Sequence, residues 1–372
     1  MTADAIGGVW TYATSLAREL CSQGFEVTLV TLGPQPRSDQ LHDIDGIQGL
    51  HLEATDLALE WMDPEGRDLP RALQRLAEIE RRVRPHVVHL NGFREAIGAW
   101  ATPVISVAHS CVGSWWLACR DEEPSEPRWL EYLANVRSGL ASADCWVAPT
   151  YAFRETIQSR YTPPTRGCVI WNGIDAGDVP PSSTAAPKQP VILAAGRLWD
   201  EAKNIAPLVR IAKRLPWPVQ LVGRSVAPGG RESVPLSGVE IVGELSLQDL
   251  RQVMTAASIF VAPALYEPFG LTVLEAGRAG CALVLSDRPS FRELWEGAAI
   301  FVDPRDDMAV QDALLHLIDN EAKRRELQRR AARRARRYSL AAMAQNYISL
   351  YDELAARAIP RMVQHEFSGT AP

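Results

Sequence analysis

Lysine is scarce in this chain. Lys188, Lys203, Lys213 and Lys323 are the only four, against 35 arginines. A GC-rich genome, in which arginine codons displace lysine codons, accounts for the bias. Long apolar runs are missing as well. None reaches roughly 18 residues, so no membrane-spanning helix is expected, and the N-terminus lacks the charged-then-apolar pattern of a secretory signal. The six cysteines, Cys21, Cys111, Cys119, Cys145, Cys168 and Cys281, form no C-x-x-C pair. Most sit among apolar neighbours and read as reduced thiols of a cytoplasmic protein. There is no G-x-x-x-x-G-K-[ST] and no G-x-G-x-x-G, which sets aside a P-loop and a nicotinamide-dinucleotide oxidoreductase. No His/Cys/Asp cluster has metal-ligand spacing. Asp43-Ile44-Asp45 spells D-x-D, but it lies in a polar stretch remote from the other candidates and reads as a turn. The net charge of −6 argues against nucleic acid as a partner.

What is present is a regular alternation. With 372 residues, 47% of them apolar, the chain is expected to build two domains. Strand-like runs fall at Glu26–Leu32, His86–Asn91, Pro103–His109, Cys145–Pro149 and Cys168–Trp171. Helical patterns lie between them, at Gly8–Leu20, Leu69–Arg84 and Arg128–Ala141. Residues 176–190, rich in Pro, Ser and Ala, read as a linker. A second series follows, with strands at Val191–Gly196, Val219–Gly223, Val239–Gly243, Ser258–Pro263, Ala282–Ser286 and Ala299–Val302. Two such series mean an α/β protein of two doubly wound, Rossmann-like domains. The expected bounds are 1–175 and 191–338, with 339–372 returning as a helix. Ligands of these sheets bind beyond the carboxyl ends of the strands, so the site is expected in a cleft between the domains. Only a few residues precede Gly7-Gly8, so the first strand is expected to be very short or to continue upstream. The stretch Glu321–Arg337 carries nine Lys/Arg. It reads first as a solvated helix face. The alternative is contact with anionic lipid at the inner face of a membrane, or with an acidic partner.

The chemistry concentrates in Glu267-Pro268-Phe269-Gly270-Leu271-Thr272-Val273-Leu274-Glu275. Glu267 falls on a loop after a strand. A helix begins near Gly270, so the free N–H groups of Gly270, Leu271 and Thr272 suit a phosphate, and Glu275 lies one turn inside. Two carboxylates beside a helix N-terminus suit a ligand that carries both phosphates and sugar hydroxyls. Gly196-Arg197 ends a strand and Lys203 opens the next helix. Arg197 and Lys203 together can hold a diphosphate and stabilise its charge as it leaves. In so arginine-rich a chain, a lysine at this place points to a need for a compact ammonium. Gly7-Gly8 allows a second close approach of backbone to phosphate. His109 ends a strand and is either structural or a sugar ligand. Trp115 and Trp116 are candidates for stacking on an acceptor sugar or for packing. The loops Asn91–Arg94 and Ser110–Arg120 are where acceptor choice is expected.

These residues together resemble the retaining glycosyltransferases of family 4, with the GT-B fold. The E-x7-E element is Glu267 to Glu275 in the form E-P-F-G-L-T. The Gly-Arg…Lys element is Gly196, Arg197 and Lys203. Gly7-Gly8, His109 and Asn172-Gly173-Ile174-Asp175 fall in matching order, as does a last helix from about Leu340. Asn204 stands where the family often has Gly. The resemblance implies a metal-independent transfer of a hexose from a UDP- or GDP-linked donor to an acceptor hydroxyl, in polysaccharide, glycolipid or glycoconjugate synthesis. It gives Arg197 and Lys203 the diphosphate, and Gly8, Phe269, Gly270, Leu271 and Thr272 the donor cradle. Glu275 takes the ribose, and Glu267 and His109 the donor sugar. Two rival readings share the donor site. A GT-B epimerase or hydrolase turns over without an acceptor, and a non-catalytic nucleotide-sugar binder does not turn over at all.

Overall fold

The structure, a computed structural model, describes residues 1–175, 188–227, 230 and 237–367, with side chains as far as 357. The expected linker lies outside the described residues as far as residue 187. The chain forms two compact units. The first is Met1–Ser114, Glu123–Gly173 and Leu340–Pro372, and the second is Trp115–Glu122 and Ile174–Ser339.

The first unit has two parallel sheets. Strands β1 (Thr2–Asp4), β2 (Val27–Leu32) and β3 (Leu50–Ala54) lie in that order. Strands β4 (Val88–Leu90), β5 (Val104–Val107), β6 (Cys145–Ala148) and β7 (Cys168–Val169) form the other sheet. Apolar runs such as Val104–Val107 are buried on both faces, the mark of a parallel sheet covered by helices. The strand β1 has three residues and pairs Thr2 with Val30. Between β1 and β4 side chains replace a ladder. The Asn91 N–H donates to Thr2 Oγ1 at 2.8 Å, and Asn91 Nδ2 donates to the Thr2 carbonyl at 2.6 Å.

Helix α1 (Gly8–Ser22) follows β1 and buries Tyr12, Ala13, Leu16 and Leu20 of the apolar face that its periodicity predicts, together with Trp10, while Val9 of that face is only partly buried. It starts from Gly7 at φ 83°, a backbone state that side chains with a Cβ rarely adopt.

The second unit holds one six-stranded parallel sheet. Its strands are β8 (Gln189–Ala195), β9 (Val219–Val222), β10 (Glu240–Gly243), β11 (Ala257–Ala262), β12 (Ala282–Ser286) and β13 (Ala299–Val302). The spatial order is β10-β9-β8-β11-β12-β13. The order therefore reverses between β8 and β11, and that switch point is where such sheets bind ligands. Helix α2 (Leu271–Arg278) follows β11. Helix α3 (Leu340–Phe367) belongs to the first unit, as the returning helix was expected to.

The reading of residues 1–175 as one block needs a correction, because Trp115–Glu122 cluster with the second unit. The reason is polar. The Trp115 indole donates to Asp200 at 3.0 Å, Arg120 pairs with Glu201 at 3.3 Å, and Arg305 pairs with Asp121 at 2.8 Å.

No helix among the described residues is long and apolar enough to cross a membrane. The basic stretch forms helix Glu321–Ala335, and much of its charge is used locally. Arg325 pairs with Glu321 at 2.6 Å and Arg330 with Glu326 at 2.5 Å, while Arg334 donates to the Leu294 and Glu296 carbonyls.

In the first unit, helix Pro127–Ser142 presses Gly139 against the loop after β4. A Cβ there would stand 2.0 Å from the Phe93 carbonyl oxygen, a backbone atom that cannot step aside. Gly139→Ala should cost about 2–3 kcal/mol by overpacking, read as a lower midpoint in thermal or urea unfolding. An unchanged midpoint would mean that this helix is not held where it is described.

Candidate active site

The switch point of the second unit gathers the residues that the spacing singled out. Gly196 closes β8 with φ 152°, and Arg197 follows it. The chain then makes a short 3₁₀ turn, Glu201–Lys203, capped by the Asp200 side chain, which accepts from the Ala202 N–H at 3.0 Å. This turn leans on the loop after β11. Lys203 Nζ lies 2.5 Å from Glu267 Oε2, so the two sequence elements meet in one ion pair. Asn204 adopts the left-handed conformation at φ 50°, which explains why glycine suits the position and why asparagine is tolerated. Its side chain adds two bonds that glycine cannot make, from Nδ2 to the Pro263 carbonyl at 2.9 Å and to the Pro304 carbonyl at 2.7 Å.

Gly270 caps helix α2 at φ 86°. Phe269 is buried and packs edge-on against Tyr338, their ring centres 6.0 Å apart. The N–H groups of Leu271 and Thr272 open the helix and have no partner within it. Ser290 Oγ donates to the Glu267 carbonyl at 2.5 Å and steadies the loop from the side of β12. Glu275 sits in the second turn and is 7% exposed. Burial raises its pKa to about 7, and Arg251 pulls the other way. No protein group donates a side-chain hydrogen bond to its carboxylate among the described residues, so it can accept from ligand hydroxyls.

Arg197 pairs with Asp200 at 2.6 Å. Asp200 escaped the sequence reading. It is buried, and it also takes the Trp115 N–H at 3.0 Å and caps the 3₁₀ turn. Despite burial its pKa is lowered, by the charges of Arg197 and Lys203 and by the bonds from Trp115 and Ala202. The available signal was its place three residues after Arg197 and three before Lys203. Trp115 therefore spends its polar edge on Asp200. Trp115 and Trp116 meet edge-to-face at 6.0 Å, with the Arg120 guanidinium 5.2 Å and 4.3 Å from their ring centres.

In the first unit, Gly8 opens helix α1 as expected. His109 stands just beyond β5 and is partly buried. Asn91 does not offer a free amide to an acceptor. Its Oδ1 faces His89 Nε2 at 3.1 Å and His109 Nε2 at 2.8 Å, and its Nδ2 is bound to Thr2. The loop that begins at Asn91 is pinned further on as well. Glu60 accepts the N–H groups of Phe93 and Arg94 at 3.1 Å and 3.3 Å. The buried Arg94 guanidinium bonds Glu95, Asp63 and the Ala58 carbonyl. Burial, with Glu95 close by, raises the Glu60 pKa to about 7. Among the described residues no group of three or more His, Cys, Asp or Glu is placed to hold a metal ion.

The sequence signature of Glycosyltransferase Family 4 matches residues 6–178, and that of Glycosyl transferases group 1 matches residues 189–320. The alpha-maltose-1-phosphate synthase of Mycolicibacterium smegmatis is 31% identical over 185 residues, which are 43% of this chain and 46% of that protein. The chain thus spans about half the length of this curated relative. The glycogen synthase of Mycobacterium tuberculosis is 26% identical over 368 residues, 88% of this chain and 86% of that one. Among solved structures, the sucrose-phosphate synthase of Thermosynechococcus elongatus superposes with a TM-score of 0.78 at 21% identity, covering 96% of each chain. Anabaena HepE in complex with UDP-glucose gives 0.73 at 15% identity, covering 95% of this chain and 100% of that one. At these identities the structures establish a shared fold, the GT-B type.

Glu275 gives a test of the site's electrostatics. A carboxyl whose pKa rises from 4.5 to about 7 on folding keeps its proton in the folded chain through that window. Stability therefore falls as pH rises from 4.5 to 7 and stays low above it, by up to about 3 kcal/mol. Glu275→Gln removes the buried charge. It should melt above the wild type at pH 8 and level with it near pH 4.5. Equal midpoints at pH 8 would mean a solvated carboxylate.

Proposed function

The chain belongs to glycosyltransferase family 4 and the group 1 glycosyltransferases, and from that premise we propose that it transfers a hexose from a UDP- or GDP-linked donor to an acceptor hydroxyl. The observation that carries this reading is the assembly at the switch point of the second unit. Lys203 and Glu267 form one ion pair, a helix N-terminus opens at Gly270, and a buried Glu275 whose carboxylate takes no hydrogen bond among the described residues lies one turn inside. Arg197 and Lys203 hold the diphosphate, and their charge stabilises it as it leaves. The N–H groups of Gly270, Leu271 and Thr272 complete the cradle. Glu275 accepts both ribose hydroxyls, which favours its ionised form. Glu267 and His109 bind hydroxyls of the sugar. The occurrence of UDP-glucose in a protein of the same fold supports this donor class.

The cations at the diphosphate do the work that a metal does in other transferases, so the reaction is metal-independent. Transfer proceeds with retention through an oxocarbenium-like transition state. The acceptor attacks from the face the phosphate leaves, and that phosphate takes the acceptor proton. Glu267 is tied to Lys203 and is not poised as a covalent nucleophile.

Arg197→Ala and Lys203→Ala should each abolish transfer, by at least about 100-fold in kcat/KM as for lost transition-state charge stabilisation, with the chain still folded, although Lys203→Ala leaves the partly buried Glu267 unpaired and should melt lower. Near-normal rates in both would remove the proposed site. Excess EDTA should leave the wild-type rate unchanged, and a rate that collapses and recovers with a divalent cation would overturn metal independence. A glycosyl-enzyme adduct seen by mass spectrometry would overturn front-face attack. The donor base is found by thermal unfolding with UDP, GDP, ADP and dTDP. A nucleotide at about 100 times its Kd adds about 2.7 kcal/mol of stability, and the matching one should be lost in Glu275→Gln.

A further inference from the structure

Asn91, His89, His109 and Tyr351 form one hydrogen-bonded chain in the first unit, and its direction can be worked out atom by atom. Asn91 Nδ2 donates to the Thr2 carbonyl at 2.6 Å, which fixes the amide's orientation. Its Oδ1 is then the atom that faces both rings, 3.1 Å from His89 Nε2 and 2.8 Å from His109 Nε2. An amide oxygen accepts and never donates, and it has two lone pairs. Each Nε2 therefore carries a hydrogen. Burial keeps both rings neutral, pushing His109 down to about 3 and His89 well below its ordinary value. In a neutral ring the other nitrogen is bare. His89 Nδ1 accepts the Tyr351 O–H at 2.7 Å, which agrees with that assignment. His109 Nδ1 meets no protein donor among the described residues. The His109 ring is held by Tyr12, packed edge-on with ring centres 4.4 Å apart.

We propose that Asn91 is a positioning residue that holds His109 in the Nε2–H tautomer, so that its bare Nδ1 accepts a hydrogen bond from a hydroxyl of the bound sugar. The proposal rests on the reading that His109 meets the sugar. It makes His109 an acceptor only, unable to protonate a leaving group. Besides Asn91, the groups that face the two rings are Tyr12 from α1, Tyr347 and Tyr351 from α3, and the amino group of Met1. None of these is a carboxylate, and the pull of the Asn91 amide toward the charged form of His89 is outweighed by burial. Asn91 Oδ1 is what selects the tautomer.

The test has two parts on the intact chain. Nitrogen-15 spectra of labelled histidine, assigned with His109→Ala and His89→Ala, report which nitrogen is protonated. Wild type should show Nε2–H on His109 from pH 6 to 8. Nδ1–H on His109 would overturn the proposal whatever the activity. The second part is Asn91→Asp, whose carboxylate accepts from both Nε2–H groups and favours the imidazolium. A protonated Nδ1 can no longer accept, so kcat/KM should gain an acid limb near neutral pH, falling about tenfold per pH unit below the new ring pKa. A merely structural Asn91 predicts a loss equal at every pH, and that flat profile would overturn the positioning role. If the variant fails to fold, the wild-type spectrum still upholds or overturns the tautomer. A wild type that transfers no sugar from any nucleotide donor would strike the proposed function instead, and the ring spectrum would decide the tautomer on its own.

Discussion

The second unit depends on a seam between the turn after β8 and the loop after β11. Three consecutive residues make it, each by a different kind of bond. The Ala202 carbonyl accepts the Leu265 N–H at 2.8 Å, Lys203 pairs with Glu267, and Asn204 reaches the Pro263 and Pro304 carbonyls. Backbone, charge and amide together fix where helix α2 begins, and so where its N–H groups open. The seam also needs room behind it. Gly223 ends β9 so close to Gly196 that a Cβ would stand 1.8 Å from the Gly196 carbonyl oxygen, which only glycine permits. The Lys203–Glu267 pair is partly buried, where an ion pair gains more than at a free surface but loses hydration. It sets a cation and a carboxylate side by side at the switch point of the sheet.

The first unit solves a different problem, the burial of polar groups around the loop after β4. Arg94 and Glu95 are almost wholly buried, which is costly unless each is paired and bonded. Arg94 donates to Glu95, and Asp63 and the Ala58 carbonyl take the remaining guanidinium N–H groups. Asn91 does the same at the other end of the loop. The result is a well-bonded loop at the carboxyl end of β4, where a doubly wound sheet presents its ligands.

Much of the architecture was legible because parallel strands leave a plain trace. Buried on both faces, they read as short continuous apolar runs, and Ala282–Ser286 and Ala299–Val302 appear in the structure with the bounds their sequence implied. Leu50–Ala54 escaped notice. It is an edge strand with a mixed, partly exposed pattern, Leu-His-Leu-Glu-Ala, which resembles a loop in composition. The site showed the same division. Arg197, Lys203, Glu267 and Glu275 were found from position relative to strand ends and helix starts. Asp200 was missed because a lone aspartate in a turn is ordinary until its burial is seen, and Asn91 was singled out without sight of the bonds to Thr2, His89 and His109 that occupy its amide.

The amino-acid order alone determined that two doubly wound units would form, and that cations and carboxylates would follow β8 and β11. Both follow from local rules, the periodicity of burial and the chemistry of turns, which act over a few residues. Only the tertiary structure decided which charge meets which, since Lys203 and Glu267 are 64 positions apart. The same holds for Asn91 and Thr2, separated by 89 positions, and for His89 and Tyr351, separated by 262. A hydrogen bond forms within about 3 Å, a distance that spacing along a chain cannot specify once the chain has turned back on itself. Tautomer, ion pairing and the raised pKa of Glu275 all depend on such distances and on burial, so they belong to the fold.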